Sequence, residues 1–208
     1  MSRLYLLIAS AAMNLLVACG APPRVPVPVP SLSAARVAVD FKPHSQWTPQ
    51  RIAKILEAAR LLEAVLNQPA FADAIAARTD FQRDEGVSSR DILRLLRAGL
   101  TLPEARSGVT ASRPVTLALA ISPASGEFSR DAGFTDLDTL IIYIRRDWLD
   151  TQPLCAIAGL LAHEHMHVMG FTHTAFNHPW RRRSVPYAVG DIVAAHAQSG
   201  CVMKDERT

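Results

Sequence analysis

The stretch HEHMHVMGFTH, His163 to His173, holds four of the chain's seven histidines and one glutamate. On a helix His163 and His167 lie about 40° apart around the axis, so both imidazoles point to one side and can share an ion. Glu164 stands about 100° from His163, beside such an ion but poorly aimed to bind it, a placement that suits a base acting on metal-bound water. His165, about 200° round, cannot join the pair and is a packing or surface residue. Gly170 ends the helix and lets the chain reverse, so His173 can return to the same ion as a third ligand. Three neutral nitrogens with one open position is the arrangement of a catalytic zinc, whereas a structural zinc has all four positions filled by protein.

Residues 163–173 therefore read H-E-x-x-H-x-x-G-x-x-H, and in this the chain resembles the metzincin clan of zinc endopeptidases. With this chain's usage of those residue types, the five fixed positions coincide by chance on the order of once in 10⁵ such chains, so the pattern is far more specific than a bare H-E-x-x-H. The resemblance covers only the motif and the elements around it. It implies that His163, His167 and His173 hold one Zn2+. Glu164 would be the general base that takes a proton from the zinc-bound water and passes it to the leaving amine. It also implies an α+β fold, a small metzincin-like zincin domain with a short twisted sheet and a buried active-site helix. A shallow cleft would cross the front of that helix. An edge strand ahead of the helix would pair with an extended peptide, and TLIIYIRR (139–146) or AISPASGEF (120–128) would supply it.

One feature departs from the clan. Metzincins place a methionine in a turn beneath the zinc, and no methionine occurs between His173 and Met203. In the expected place stands RSVPYAVG (183–190), where Ser184, Pro186 and Tyr187 resemble a related turn with the methionine replaced. Tyr187 is then either close to the zinc, steadying an oxyanion, or a buried core tyrosine. His178 and His196 do not fit the ligand spacing and read as surface histidines. Trp180 with Arg181, Arg182 and Arg183 forms the densest charge run, and a solvated loop is preferred over a contact with anionic lipid or an acidic substrate.

The elements that must position these groups follow from patterning. Thr151 as cap, with Pro153 in the first turn, opens a largely apolar helix that runs to Gly170; an apolar helix is buried, so its polar residues need partners. Thr48 and Pro49 open an amphipathic helix with Ile52, Ile55, Leu56, Ala59, Leu62 and Val65 at helical spacing. Further helices are expected over 69–77, over 89–98 with a Ser88/Asp91 capping box and a Gly99 stop, and over 188–198. Strands are expected over 35–41, 114–122 and 138–146, with a polar loop, PASGEFSRDAGFTDL (123–137), between the last two.

A chain of 208 residues suits one domain, and a net charge of +3 with one-fifth charged residues gives no sign of a nucleic-acid binder. Arg3 and the apolar run 4–18 form a signal peptide, covering residues 1–18. LVAC (16–19) resembles a bacterial lipobox, which implies a lipid anchor on Cys19. Gly20 after it implies the outer membrane, facing the periplasm, and an ordinary signal peptide is the alternative. Residues 19–30, with five of the fourteen prolines, form an extended linker from the membrane, and residues 31–208 form the domain. The mature chain keeps 21 basic and 19 acidic residues, a net +2, too little to steer a charged partner over distance. In an oxidising compartment Cys155 and Cys201 either form a disulfide or stay as buried thiols.

Two functions suit these residues. One is a zinc-dependent endopeptidase acting on peptides or proteins. The other is a zinc-containing, non-catalytic envelope lipoprotein that binds a protein partner. Glu164 favours the first, since a site kept for structure has no need of a carboxylate beside an open position.

Overall fold

A computed structural model describes residues 34–43, 46–82, 85–122, 131–173, 179–198 and 201. Residues 1–33, and with them the expected signal peptide, Cys19 and the whole linker, lie outside the described residues, as do His178 and Met203.

Four strands form one mixed sheet. β1 (Val37–Phe41) pairs parallel with β2 (Val115–Ser122), β2 pairs parallel with β4 (Ile141–Arg145), and β3 (Gly133–Asp136) pairs antiparallel with β4. The spatial order is β1-β2-β4-β3. Period-two alternation sends Val115, Leu117, Leu119, Ile142 and Ile144 to a buried face, while Thr116 on the other face is exposed. Phe134 stacks on its cross-strand partner Tyr143 with ring centroids 4.9 Å apart. Helices gathered against one face of a small sheet make the domain mixed α and β, consistent with α+β.

The expected strands are present with shorter bounds, but TLIIYIRR does not lie at an edge, and of AISPASGEF only 120–122 are described, within the internal β2, while 123–128 lie outside the described residues. The β4 segment is internal, and the outermost strand beside it is β3, inside the stretch read as loop. Its hairpin turn explains the miss: Leu140 takes φ +56 where glycine or asparagine is the usual sign, and the Asp136 side chain closes the turn by accepting from the amides of Asp138 and Thr139.

Helix α1 (Pro49–Leu66) is capped by Thr48 and buries Ile55, Ala58, Ala59, Leu62, Val65 and Leu66; Leu56, expected inside, is exposed. Helix α2 (Pro69–Ala76) follows, and α3 (Ser89–Ala98) has the expected Ser88 cap and stops at Gly99 with φ +65. A short α4 (Leu102–Arg106) carries a full Thr101/Glu104 capping box.

Thr151 is not the cap of the histidine helix. It closes a separate short helix, α5 (Arg146–Thr151), donating to the Asp147 carbonyl, and Pro153 is the N-cap of α6 (Leu154–Val168). A 3-10 turn (Pro179–Arg183) leads into α7 (Val185–Ala197), which starts three residues earlier than expected, with Pro186 in its first turn and Ser184 at the N-cap position, its hydroxyl donating back to the Arg181 carbonyl. RSVPYAVG is thus mostly helix rather than turn.

Helix α6 is sandwiched between α1 and α7, and the buried Ile157, Ala158, Leu161, Ala162 and Met166 tie it into the core. Where α6 and α7 cross, Gly159, Gly190 and Ala194 meet with no larger side chain between the axes. A disulfide joins Cys155, at the start of α6, to Cys201 beyond α7, with an S–S distance of 2.25 Å. No helix among the described residues is long and apolar enough to cross a membrane.

Candidate metal centre

Helix α6 places His163 and His167 on its cleft side, one turn apart, with ring centroids 5.1 Å from each other. Its end is set by Gly170, whose φ of +99 turns the chain so that Phe171 donates its amide back to the Met166 carbonyl. The reversal brings His173 to 5.4 Å from the His163 ring and 4.7 Å from the His167 ring. One nitrogen from each of the three rings lies within 4.8 Å of the others, a cluster able to hold a metal ion.

The donors suit such an ion. His167 Nδ1 stands 2.9 Å from the Phe171 carbonyl, which makes Nδ1 the donor and leaves Nε2 as the lone-pair atom. Burial first, then neighbouring His167, His173 and Arg181, push His163 down to about 3, against a hydrogen bond with the Pro186 backbone. Burial and His173 push His167 down to about 4. Both rings are therefore neutral near pH 7, the form that binds a cation.

Glu164 is 4% exposed, on the flank of α6 that meets β3. Its Oε1 is 4.0 Å from His163 Nε2, and its Oε2 accepts a 2.8 Å hydrogen bond from Thr135 Oγ1. Burial pushes the carboxyl up to about 7, opposed by the Thr135 bond.

The phenol of Tyr187, in the first turn of α7, also belongs to this cluster. Its ring centroid lies 4.4 Å from that of His163 and 4.9 Å from that of His173, and it is half-buried beside the cleft rather than in the core. The Arg181 guanidinium lies over the Tyr187 ring, Cζ 4.8 Å from the ring centroid, so the first arginine of the charge run turns inward while Arg182 and Arg183 stay exposed. Burial raises the Tyr187 pKa and Arg181 opposes the rise.

A cleft of about 570 Å³ opens in front of these groups. Thr135, Leu137, Trp148, Leu160, Asp191 and Ala194 line it beside the histidines. His165 faces the opposite way, 4% exposed, with neither ring nitrogen hydrogen-bonded among the described residues, which makes it the packing residue of the two readings. His196 is half-buried on α7 with its ring edge-on to Phe71, remote from the cluster rather than on the open surface.

The motif thus gathers His163, Glu164, His167 and His173, and Tyr187 joins them. Sequence reasoning missed Thr135 and the inward Arg181. Only the pair Phe134-Thr135, two strand-forming residues ahead of an Asp-rich turn, hinted at the strand that carries the former. Comparison of the chain with protein-family models, curated proteins and solved structures returns no match.

Proposed function

We propose that this protein is a zinc-dependent endopeptidase of metzincin type. The observation that carries the reading is the convergence of three imidazoles and a buried glutamate at and just beyond the end of one helix, facing one open cleft. The residues fit Zn2+ by donor type, since neutral imidazole suits a borderline-soft ion and the tautomer of His167 is already set.

His163, His167 and His173 would hold the zinc ion, which would supply Lewis acidity, lowering the pKa of a water to about 7 and polarising a carbonyl. Glu164, through Oε1, takes the proton of the attacking water and hands it to the departing amine nitrogen. Tyr187 donates its hydroxyl to the developing oxyanion, with Arg181 beside its ring favouring negative charge there. Because the amide of Arg145 bonds the Ala132 carbonyl, alternation along the antiparallel ladder turns the backbone groups of Gly133 and Thr135 away from β4. An extended peptide pairs with that side of β3 and is held across the cleft. We further propose that the chain is exported and held by a lipid on Cys19 at the outer membrane.

The test is proteomic. The full chain, loaded with zinc, is incubated with a diverse peptide mixture and read by mass spectrometry beside Glu164→Ala. Cuts made by the wild type alone, and abolished by a chelator, are expected. A protein that holds one zinc yet cuts nothing would instead support the non-catalytic, partner-binding lipoprotein.

A further inference from the structure

Thr135 lies outside the histidine motif and 29 residues before the glutamate it touches. In the sheet it pairs with Ile142, which is fully buried, so the pleat turns both side chains toward α6. Its Oγ1 reaches two oxygens of one residue, Oε2 of Glu164 at 2.8 Å and the Glu164 carbonyl at 3.0 Å. The other carboxylate oxygen, Oε1, faces His163 Nε2.

The two oxygens of Glu164 are therefore in different situations. One is tied to the sheet and the other looks toward the metal cluster and the cleft. A carboxylate on three rotatable bonds, with only 4% exposure, has little water to hold it, so its aim depends on what the protein offers. Nothing but the Thr135 hydroxyl donates to it in the bonds that the described residues show. Close packing adds to the constraint: a Cβ on Gly133, two residues before Thr135 on the same face, would stand 2.7 Å from the Tyr143 carbonyl and 3.3 Å from Leu160 of α6. Strand and helix are thus seated directly on each other beside the bond, which fixes the hydroxyl as well as the acid.

We infer that Thr135 is a positioning residue: by donating to Oε2 it aims Oε1 of Glu164 at the reacting water. The inference rests on the peptidase reading above. It also joins the two halves of the site, because the strand proposed to bind the peptide main chain is the strand that orients the base.

Thr135→Val keeps the shape and strand preference and removes only the hydroxyl, while Thr135→Ser keeps the hydroxyl and removes a methyl. Both are compared with wild type as zinc-loaded full chains. Two quantities are measured, the Kd for acetohydroxamate by calorimetry and kcat and KM on a peptide that the wild type cuts. A hydroxamate chelates zinc and presents its polar hydrogen to an adjacent carboxylate, so its affinity reports the aim of Glu164 without turnover.

Thr135→Val is expected to weaken acetohydroxamate about tenfold, the scale of a lost hydrogen bond to a charged group. It should lower kcat by about 10- to 100-fold with KM changed less than about twofold, as misplacement of a reacting group does. Thr135→Ser should stay within about threefold of wild type in both quantities. Equal losses in the two variants would mean that the side chain merely packs, and would overturn the inference. A wild-type Kd and kcat in Thr135→Val would overturn it too, with the peptidase reading intact. Zinc-loaded wild type that neither cuts peptides nor binds acetohydroxamate would overturn both.

Discussion

Gly159 on α6 and Gly190 on α7 approach so closely that a methyl built on either would stand 2.9 Å from the carbonyl oxygen of the other. The same methyl on Gly190 would meet Cβ of His163 at 3.0 Å. Helix α7 thus lies against the turn of α6 that carries His163 with only hydrogens between them, and this is why Tyr187, one turn before Gly190, has its ring against His163. The crossing and the metal cluster share one constraint: any group that separates the helices also moves the phenol from the histidines.

Gly190→Ala tests that coupling. Alanine gains about 1 kcal/mol in helix preference, but overpacking against backbone costs about 1–3 kcal/mol, so the net is expected to be destabilising and Tm to fall by a few degrees. Zinc affinity should fall as well, because the displaced atom is Cβ of a ligand. A variant with unchanged Tm and unchanged zinc affinity would show that α7 yields without cost and that the crossing does not fix the site.

How much of this was legible beforehand depends on how local the cause is. The convergence of His163, His167 and His173 was readable because a helix repeat, a glycine and three residues of reversal determine it within eleven positions. Thr48, Ser88 and Gly99 acted as predicted because caps are local too. The edge strand was hidden: β3 is four residues long, and its turn uses Leu140 at positive φ and an aspartate side chain in place of glycine. Thr151 misled because it is followed by proline in the pattern of a helix start, yet its hydroxyl is used at the end of α5. The Thr135–Glu164 bond was beyond any local pattern, since it exists only once β3 is docked on α6.

Glu164 makes the stability of the metal-free protein depend on pH. Its folded pKa, about 7, lies above its ordinary 4.5, so between those values the folded state holds more protons than the unfolded. Stability is therefore lost as pH rises through this window, and the full cost of the buried carboxylate is present above about pH 7. Glu164→Gln should gain on wild type by up to about 3 kcal/mol from pH 4.5 to pH 8 without metal. Urea unfolding at the two pH values measures it; a constant difference would mean that the carboxyl titrates normally in the fold.

His165 acts in the opposite direction. Burial, and then Arg113, push its folded pKa down to about 4, so between about 4 and 6.5 the unfolded state binds more protons and stability falls with falling pH. Its two ring nitrogens are also buried without partners among the described residues, which costs about 1–3 kcal/mol. His165→Leu should thus be more stable than wild type at pH 8 and gain further at pH 5, with zinc content unchanged because the residue faces away from the cluster. Destabilisation at both pH values would show that the imidazole packs better than its missing hydrogen bonds suggest.

The Cys155–Cys201 disulfide clamps the end of the α6–α7 pair farthest from the ligands. It closes a loop of 46 residues that contains the whole metal cluster, Tyr187 and α7. Chain-entropy reasoning gives such a closure about 4 kcal/mol, which for a domain of this size corresponds to a Tm change of about 10 °C. Reduction, or the double substitution Cys155→Ser with Cys201→Ser, should lower Tm on that scale. Zinc content at 25 °C should stay near one per chain, because the ligands lie on the last two turns of α6 and just after them, while Cys155 lies on its first. If both Tm and zinc content were insensitive to reduction, the bridge would not be constraining the segment from α6 to α7. If zinc were lost together with the bridge, the far end of α7 would be shown to govern the seating of Tyr187 and the histidines through the glycine crossing.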